Sequence, residues 1–361
     1  MRMKTRAAMA LVLGAISSGF VSTPAYGFIP SSGTYYGLFF QTTGYWVQSS
    51  GTMKINTTSR GTYSANLQIG KARYSFSGRL ASDGSASVQI LRYYQYPLTV
   101  QFQVTDADPD VIVGTVSDGY WTAQLNADRA VFDGKTNISP NAGHYTMVLH
   151  GDFNSTQVPG GASFGTITIN KAGRINFAAS LADGTTFTQS TAVSKNGRWP
   201  LYAPLYSGNG TFYGWMLFNA STNTDISGDV TWVKPQMPWT QYYPYGFYVV
   251  NPVYGSRYIK PPKGMSVLNF TDATIQFNGQ NLYQGITNNV FLTSNNQIEN
   301  ESPNGLNSSF SLSNGRFSGH VMDPITFQWY PFKGVVVQNF NIATGYFSAW
   351  NLTGEVWLQG D

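Results

Sequence analysis

Residues 174–181 read RINFAASL, and this short stretch decides the fold class. Its alternate positions are apolar, and they are Ile175, Phe177, Ala179 and Leu181. A period of two places these side chains on one face of an extended chain, which is typical of a strand with one buried face. Residues 61–69, GTYSANLQI, show the same alternation. Both stretches predict strands that cover a core with one face.

Turn signals separate such stretches along the whole chain. Nine Asp-Gly or Asn-Gly pairs occur, with their first residues at positions 83, 118, 133, 183, 196, 209, 278, 304 and 314. These pairs tolerate the positive φ angles of tight hairpins. Strands at roughly ten-residue spacing joined by hairpins indicate antiparallel meanders, which close into barrels or stack as sandwiches. The prediction is an all-β protein with almost no helix after its first 27 residues.

Weak internal repeats predict more than one meander. The repeated motifs are GTYYGLF (33–39) with GTFYGWML (210–217), and GYWTA (119–123) with GYFSA (345–349). We predict two or three modules, with boundaries at residues 28–140, 141–235 and 265–361.

Residues 236–264 form a segment rich in proline and tyrosine. Because proline cannot donate a ladder hydrogen bond, the sequence predicts an extended connector rather than a strand pair. Its aromatic side chains either pack as a strap over a barrel mouth or an inter-module seam, or line a ligand groove.

The N-terminus predicts export. Basic residues within the first six positions precede an apolar run at residues 7–21, and small residues follow up to Gly27. This order is that of a secretory signal peptide, residues 1–27, with cleavage near Gly27. Its removal lowers the formal charge from +4 to about +1. We therefore expect a protein that is secreted or held at the cell surface, in an extracellular or periplasmic location.

Charge and hydropathy limit the partners of this chain. A nearly neutral mature chain without a Lys/Arg run argues against nucleic-acid binding. No later segment reaches the roughly 18 consecutive apolar residues of a membrane helix, so we expect no helical anchor. The sequence leaves the oligomeric state open.

Residues 194–215 concentrate aromatic side chains between two Asn-Gly turns. Exposed rings of this kind form platforms on which sugar rings stack. The candidate platform residues are Trp199, Tyr202, Tyr206, Tyr213 and Trp215, with Trp239 and Tyr243 from the connector. The competing interpretation is that these rings are buried in a filled barrel or an interface.

Asp106, Asp108 and Asp110 alternate in the turn DADPD. Alternating carboxylates can bind Ca²⁺ through hard oxygen ligands, although the Gly and Glu positions of an EF-hand loop hold Val111 and Ser117. The turn is therefore either a polar hairpin or a structural calcium site. We expect no other cofactor.

Several sequence motifs resemble an uncharacterised β-rich module found in exported, often multidomain surface proteins of environmental bacteria. The motifs are VSDGYWTAQLNADRAVF (116–132), AGHYTMVL (142–149), SLADGTTFTQSTAVSKNGRWPLYAPLYSGNGTFYGWMLF (180–218) and ISGDVTWVKP (226–235). The opening GTYYGLF and the closing GYFSAWNLTGEVWL fit the same module, so the resemblance covers most of the mature chain. It implies a β-rich surface protein and transfers no activity or site residues.

The functional expectation is a non-catalytic protein that binds a polysaccharide or another cell-surface component. The chain has three glutamates, of which Glu299 and Glu301 lie in a polar stretch, and no acid/base pair stands out for glycoside hydrolysis. The main alternative is a structural or adhesive surface protein without a small ligand. An outer-membrane barrel and a glycan hydrolase are weaker alternatives.

Overall fold

The computed structural model describes residues 31–44, 46–105, 107–219 and 224–361. The predicted signal peptide, residues 1–27, lies outside the described residues. Strands dominate the described part of the chain and form three eight-stranded antiparallel sheets. The prediction of an all-β protein built from barrel-forming meanders is confirmed.

Barrel 1 contains β1 to β8. The strands are β1 (Gly33–Phe40), β2 (Ser50–Thr57), β3 (Thr62–Ile69), β4 (Ala72–Arg79), β5 (Ser85–Arg92), β6 (Gln95–Val104), β7 (Val111–Ser117) and β8 (Thr122–Arg129), and a 3-10 turn spans Val47–Ser49. Their order in the sheet is β4-β3-β2-β1-β8-β7-β6-β5. The first strand thus pairs with the last, and the barrel is nearly closed, with β4 and β5 as its two edges.

Barrel 2 contains β9 to β16. The strands are β9 (Gly143–Leu149), β10 (Ser163–Ile169), β11 (Arg174–Ser180), β12 (Thr186–Ala192), β13 (Arg198–Leu205), β14 (Gly210–Phe218), β15 (Ile226–Lys234) and β16 (Phe247–Tyr258), and a 3-10 turn spans Tyr206–Gly208. Their order, β12-β11-β10-β9-β16-β15-β14-β13, repeats that of barrel 1.

Barrel 3 contains β17 to β24. The strands are β17 (Asp272–Asn278), β18 (Ile286–Leu292), β19 (Ile298–Asn300), β20 (Leu306–Ser311), β21 (Arg316–Met322), β22 (Trp329–Val337), β23 (Ile342–Ala349) and β24 (Leu352–Gly360), and a 3-10 turn spans Gln338–Phe340. Their order is β19-β18-β17-β24-β23-β22-β21-β20. A bridge between Gln297 and Ser309 links the two edges of this sheet.

The segment predicted to be an extended connector contains a strand, and this part of the prediction was wrong. β16 pairs with β15 from Phe247 to Gly255 and with β9 from Val253 to Tyr258. Pro252 lies opposite Asp229 and just before the pairing with β9 begins, so β16 is an edge at that point. Sheets tolerate proline at an edge, where a missing ladder donor costs little.

Every second residue of a strand points into its barrel, and these inward side chains are mostly apolar. In β11, Ile175, Phe177 and Ala179 are buried in the core of barrel 2, as the sequence predicts. Trp199 and Trp232 are the largest fully buried side chains of the described protein, and both lie in that core. Barrels 1 and 3 have separate apolar cores.

The three barrels form a row with barrel 2 in the middle. β1 and β2 of barrel 1 contact β13, whereas β22 of barrel 3 contacts β9, β10 and β16. β9 and β13 are four strands apart around an eight-stranded ring, so the two contacts lie on opposite sides of barrel 2. Among the described residues, no helix has the length and apolar character needed to cross a bilayer.

All three barrels point in the same direction. Since strand direction alternates, the connection after every odd-numbered strand lies at one end of its barrel, which we call the upper end. Two upper-end turns meet where the Gly70 amide donates to the Tyr202 hydroxyl at 2.9 Å and Gly70 touches Gly208. At the other seam, the Tyr243 hydroxyl lies 2.9 Å from Thr353 Oγ1.

The lower ends also meet each other. The Lys195 ammonium donates to Asp108 Oδ1 at 2.9 Å across the seam of barrels 1 and 2. The Asn339 amide donates to Asp225 Oδ2 at 2.8 Å across the seam of barrels 2 and 3. The molecule therefore has one upper surface and one lower surface, each made of turns from all three barrels.

Candidate functional site

The predicted aromatic platform does not form, and Trp199 shows why. Its ring lies inside barrel 2, stacked on Phe218 at a centroid distance of 5.9 Å and edge-on to Phe177 at 5.1 Å. The indole Nε1 donates to Gln189 Oε1 at 3.0 Å. A sugar ring cannot reach this indole, because the barrel wall surrounds it. The competing interpretation, a filled barrel, holds for Trp199.

Tyr202, Tyr213 and Trp215 lie at the seam between barrels 1 and 2. Tyr202 and Tyr213 are buried against Leu38, and Trp215 is half-buried beneath the Arg198 guanidinium, 4.1 Å from its ring centroid. Burial raises the pKa of Tyr202 to about 12. These rings are interface residues rather than a binding surface.

Tyr206 belongs to a buried polar cluster at the upper mouth of barrel 2. Its hydroxyl donates to Asp183 Oδ2 at 2.6 Å and accepts from the Trp232 indole at 2.9 Å. Lys234 Nζ lies 3.0 Å from the same Asp183 oxygen and donates to the Tyr242 carbonyl at 2.7 Å. Burial, followed by the Asp183 charge, raises the pKa of Tyr206. Sequence reasoning missed this cluster because its members are far apart along the chain.

The two connector residues have different environments. Tyr243 is buried at the seam of barrels 2 and 3, where its hydroxyl accepts from the Gly160 and Thr353 amides at 3.1 Å each. Trp239, in contrast, is 78% exposed. Of the seven predicted platform residues, Trp239 is therefore the one that is open to solvent.

Exposed aromatic side chains are concentrated instead at the upper end of all three barrels. Their exposure ranges from 61% to 90%. They are Trp46, Tyr93, Tyr94 and Tyr120 in barrel 1, Trp239 and Tyr245 in barrel 2, and Tyr283, Phe327 and Trp350 in barrel 3. Lower-end connections carry fewer exposed rings, and several of their turns are polar, for example TSRG (58–61), NKAG (170–173), SKNG (194–197) and SNNQ (294–297). The exposed apolar side chains of the described lower-end connections are Ile138, Ile259, Met265 and Phe340. The two surfaces of the molecule thus differ in chemistry.

A groove crosses the upper surface where barrels 2 and 3 meet. Its first part has a volume of about 500 Å³ and lies between the β9–β10, β15–β16 and β23–β24 connections. Its lining residues are Thr156, Gln157, Tyr243, Pro244, Tyr245, Gly246, Asn351 and Leu352. The β15–β16 connection is thus fixed below by buried Tyr243 and presents Tyr245 to solvent.

The second part of this upper groove adjoins the first, because both are lined by Asn351 and Leu352. It has a volume of about 480 Å³, and its other lining residues are Gln280, Asn281, Leu282, Tyr283, Asp323, Thr326, Tyr330 and Trp350. Trp350 stands at the β23–β24 turn with a φ of 56°, and its carbonyl accepts from Gln241 Nε2 at 2.8 Å. A bulky residue at positive φ is uncommon and is held here by the neighbouring barrel.

The upper groove combines aromatic faces with amide and hydroxyl groups. Asp323 is an acidic lining residue, but it is 3% exposed, and its two oxygens accept from the Ile325 amide and from Thr326 Oγ1. The described lining of the groove thus contains one acidic side chain, which is shielded from solvent, and neither Lys nor Arg. Such a surface can stack on apolar faces and exchange hydrogen bonds with hydroxyl groups.

Two carboxylates of the predicted calcium turn are engaged by cations. Lys195 donates to Asp108 and Asp110, and Arg129 donates to Asp110. Asp106 lies outside the described residues. Within the described part, no group of three or more His, Asp or Glu side chains is placed to hold a metal ion. Calcium binding at this turn stays a prediction.

Comparison with known proteins yields distant similarities of structure. No family model and no curated protein matches the chain. A transferrin binding protein B double mutant from Haemophilus parasuis Hp5 is 8% identical with a TM-score of 0.22, over 92% of this chain and 76% of that one. An endo-1,5-alpha-L-arabinanase from Thermotoga petrophila RKU-1 is 11% identical with a TM-score of 0.23, over 92% and 82%.

A protein of unknown function from the DUF3598 family of Nostoc punctiforme PCC 73102 is 12% identical with a TM-score of 0.21. That match covers 62% of this chain and 94% of the other. At these TM-scores none of the similarities carries a functional assignment.

The sequence analysis offered the 236–264 segment as the lining of a groove, and Tyr243 and Tyr245 do line the upper groove. It missed the part of the groove that barrel 3 supplies, although a signal for it was present. Tyr245, Tyr283 and Trp350 each lie in a connection that follows an odd-numbered strand. Turns after odd-numbered strands lie at one end of each barrel. A count of the predicted strands would therefore have distinguished aromatic residues in these turns from aromatic residues inside strands.

Proposed function

We propose that this protein binds glycans without chemical turnover, through the upper groove between barrels 2 and 3. The observation that carries the proposal is the set of exposed aromatic rings on the upper surface, of which Tyr245, Tyr283 and Trp350 line the groove. Aromatic faces complement the C–H surfaces of sugar rings. Gln157, Gln280 and Asn351 beside them supply amide groups for sugar hydroxyls.

We propose binding rather than hydrolysis because the described lining of the groove contains one carboxyl group. Glycoside hydrolysis commonly requires two carboxyl groups about 5–10 Å apart. The acidic residue of the lining, Asp323, already accepts hydrogen bonds from its own loop. We further propose that the protein acts outside the cytoplasm, because the sequence of residues 1–27 predicts a secretory signal peptide.

An adhesive role is the second candidate, and barrel 1 favours it. The Tyr93 and Tyr94 rings lie 4.2 Å apart, and those of Tyr96 and Tyr120 lie 4.6 Å apart, all on the upper hairpins. These four rings protrude from the upper end of barrel 1. They suit contact with an extended surface better than enclosure of a small ligand.

Polysaccharide binding tests the proposal. The purified protein is titrated with soluble xylan, arabinan and β-glucan and pulled down with cellulose and chitin, while tryptophan fluorescence is followed. Trp350→Ala and Tyr245→Ala should each weaken binding at least about fivefold, because each loses a stacking contact. Tyr120→Ala is the matched control, since it removes an equally exposed ring of barrel 1.

The outcomes separate the two candidates. If Trp350→Ala and Tyr245→Ala weaken polysaccharide binding and Tyr120→Ala does not, the result supports the upper groove as the glycan-binding site. If Tyr120→Ala alone weakens binding to insoluble polymers, the adhesive role is the better account. Lack of binding to every polysaccharide by the folded protein would contradict glycan binding.

A further inference from the structure

A second groove lies on the side of the molecule, between barrels 2 and 3. It has a volume of about 650 Å³. One wall is the outer face of β11 and β12, and the other is formed by β21 and β22. The polar side chains that line it are Ser180, Thr186, Thr188, Arg316, Ser318 and Lys333. We call this feature the side groove.

The side groove continues across barrel 3. An adjoining depression of about 500 Å³ shares Ser318 and Lys333 with it and extends over Ser308, Ser309 and His320. The two depressions form a trough that runs across β20, β21 and β22. A trough of this shape suits a segment of a polymer better than a compact small molecule.

The charge of the side groove is positive. Arg316 and Lys333 line it, and none of the described residues lining either depression is acidic. The ion pairs found among the described residues engage neither of these two cations. Lys333 Nζ lies 5.1 Å from the ring centroid of Tyr346, which orients the ammonium without neutralising it.

Strand pairing fixes the relative positions of these groups. Lys333 pairs with Ser318 on one side and with Tyr346 on the other. Arg316 lies two residues from Ser318 and therefore on the same face of β21. Ser180 pairs with Thr186 in barrel 2, so their hydroxyls share the opposite wall. The Ser180 hydroxyl is also within 3.0 Å of the Tyr346 hydroxyl, which joins the two walls.

We propose that the side groove binds an acidic polysaccharide through carboxylate or sulfate groups on successive sugars. The Arg316 guanidinium forms a fork that accommodates either group in a bidentate manner, and Lys333 adds a second point of positive charge. The Ser and Thr hydroxyls exchange hydrogen bonds with the sugar hydroxyls. This proposal is independent of the upper groove, because the two grooves share no lining residue.

Binding of labelled polymers tests this proposal. Fluorescein-labelled polygalacturonate, dextran sulfate and neutral dextran are titrated with the purified protein at 50 mM and 500 mM salt. We expect binding of at least one acidic polymer, weak or absent binding of neutral dextran, and loss of affinity at high salt. Arg316→Ala/Lys333→Ala should weaken acidic-polymer binding at least about tenfold, since charge-assisted hydrogen bonds are lost.

The matched control is Arg60→Ala/Arg73→Ala, which removes two exposed cations from barrel 1, on the far side of barrel 2 from the side groove. Equal weakening by this control would show a general charge effect and overturn the assignment. Unchanged acidic-polymer binding by Arg316→Ala/Lys333→Ala would also overturn the assignment. Failure of the wild-type protein to bind either acidic polymer would do the same. A preference for polygalacturonate or for dextran sulfate identifies the carboxylate or the sulfate as the recognised group. Trp350→Ala should retain acidic-polymer binding, so the two proposed sites fail independently.

Discussion

At the scale of single residues, the buried ion pair of Lys234 and Asp183 should contribute strongly to the stability of barrel 2. Their side chains are 2% and 0% exposed, and the carboxylate also accepts from Tyr206. Lys234→Met leaves the Asp183 charge buried without a cation, so the free energy of unfolding of barrel 2 should fall by about 3–5 kcal/mol. Urea unfolding followed by the fluorescence of buried Trp199 and Trp232 measures this loss.

A double variant separates the charge from the packing. Asp183→Asn/Lys234→Met removes both charges and keeps an acceptor for the Tyr206 hydroxyl, so it should be more stable than Lys234→Met alone. Lys171→Met, at an exposed turn, should have almost no effect. If Lys234→Met costs no more than Lys171→Met, the pair does not stabilise barrel 2.

Among the structural elements, the lower-end turns show a second kind of constraint. Gly197 closes the β12–β13 turn with a φ of 76°, and a Cβ there would lie 2.5 Å from the Phe218 carbonyl oxygen. Gly61 closes the β2–β3 turn with the same φ of 76°, but a Cβ there would meet nothing within 4 Å. Both glycines relieve backbone strain, but only Gly197 also avoids a steric clash.

Alanine at each of these turns tests that distinction. Gly61→Ala should lower the free energy of unfolding of barrel 1 by about 1–2 kcal/mol, the cost of a left-handed conformation for a residue with a Cβ. Gly197→Ala should cost barrel 2 about 1 kcal/mol more, because the clash adds strain. Urea unfolding of both variants measures the difference. Equal losses would mean that the β12–β13 turn relaxes without cost.

For the whole molecule, the seam between barrels 1 and 2 should respond to pH. Hydrogen bonds from Lys195 are the main cause that lowers the pKa of Asp108. Burial raises the pKa of Asp110, but hydrogen bonds from Lys195 and Arg129, with their charges, outweigh it and lower that pKa. Carboxylates with lowered pKa values stabilise the folded state above about pH 4, and this contribution is lost as the pH falls through the folded values.

Lys195→Met should therefore lower the Tm at pH 7 and have a smaller effect at pH 3. Burial raises the pKa of Asp128 at the same seam, whereas the Lys195 charge lowers it, so the loss of Lys195 should also destabilise the ionised form of Asp128 at pH 7. Lys263→Met, at an exposed position, is the control. A Tm difference that is the same at both pH values would show that the Lys195 pairs do not stabilise the seam.

Much of the fold could be predicted from local sequence patterns. Alternation in residues 61–69 and 174–181 correctly assigned the buried faces of β3 and β11, because side-chain direction in a strand follows directly from position. Six of the nine Asx-Gly pairs have their glycine at positive φ, and they marked turns for a similarly local reason, the freedom of glycine in that conformation. Pro252 misled the prediction for residues 236–264, since whether proline is tolerated depends on which strand lies beside it.

The candidate site depended on contacts between distant parts of the chain. Alternation shows that Tyr202 and Tyr213 point away from the core of barrel 2, but only the packing of barrel 1 against them shows that they are buried. Tyr245 and Trp350 are more than 100 residues apart, and the common orientation of barrels 2 and 3 brings them to one groove. Local patterns define a strand and its faces because neighbouring residues suffice to set them. Docking between barrels decides which outward faces are buried in an interface and which stay exposed, because burial depends on what lies opposite.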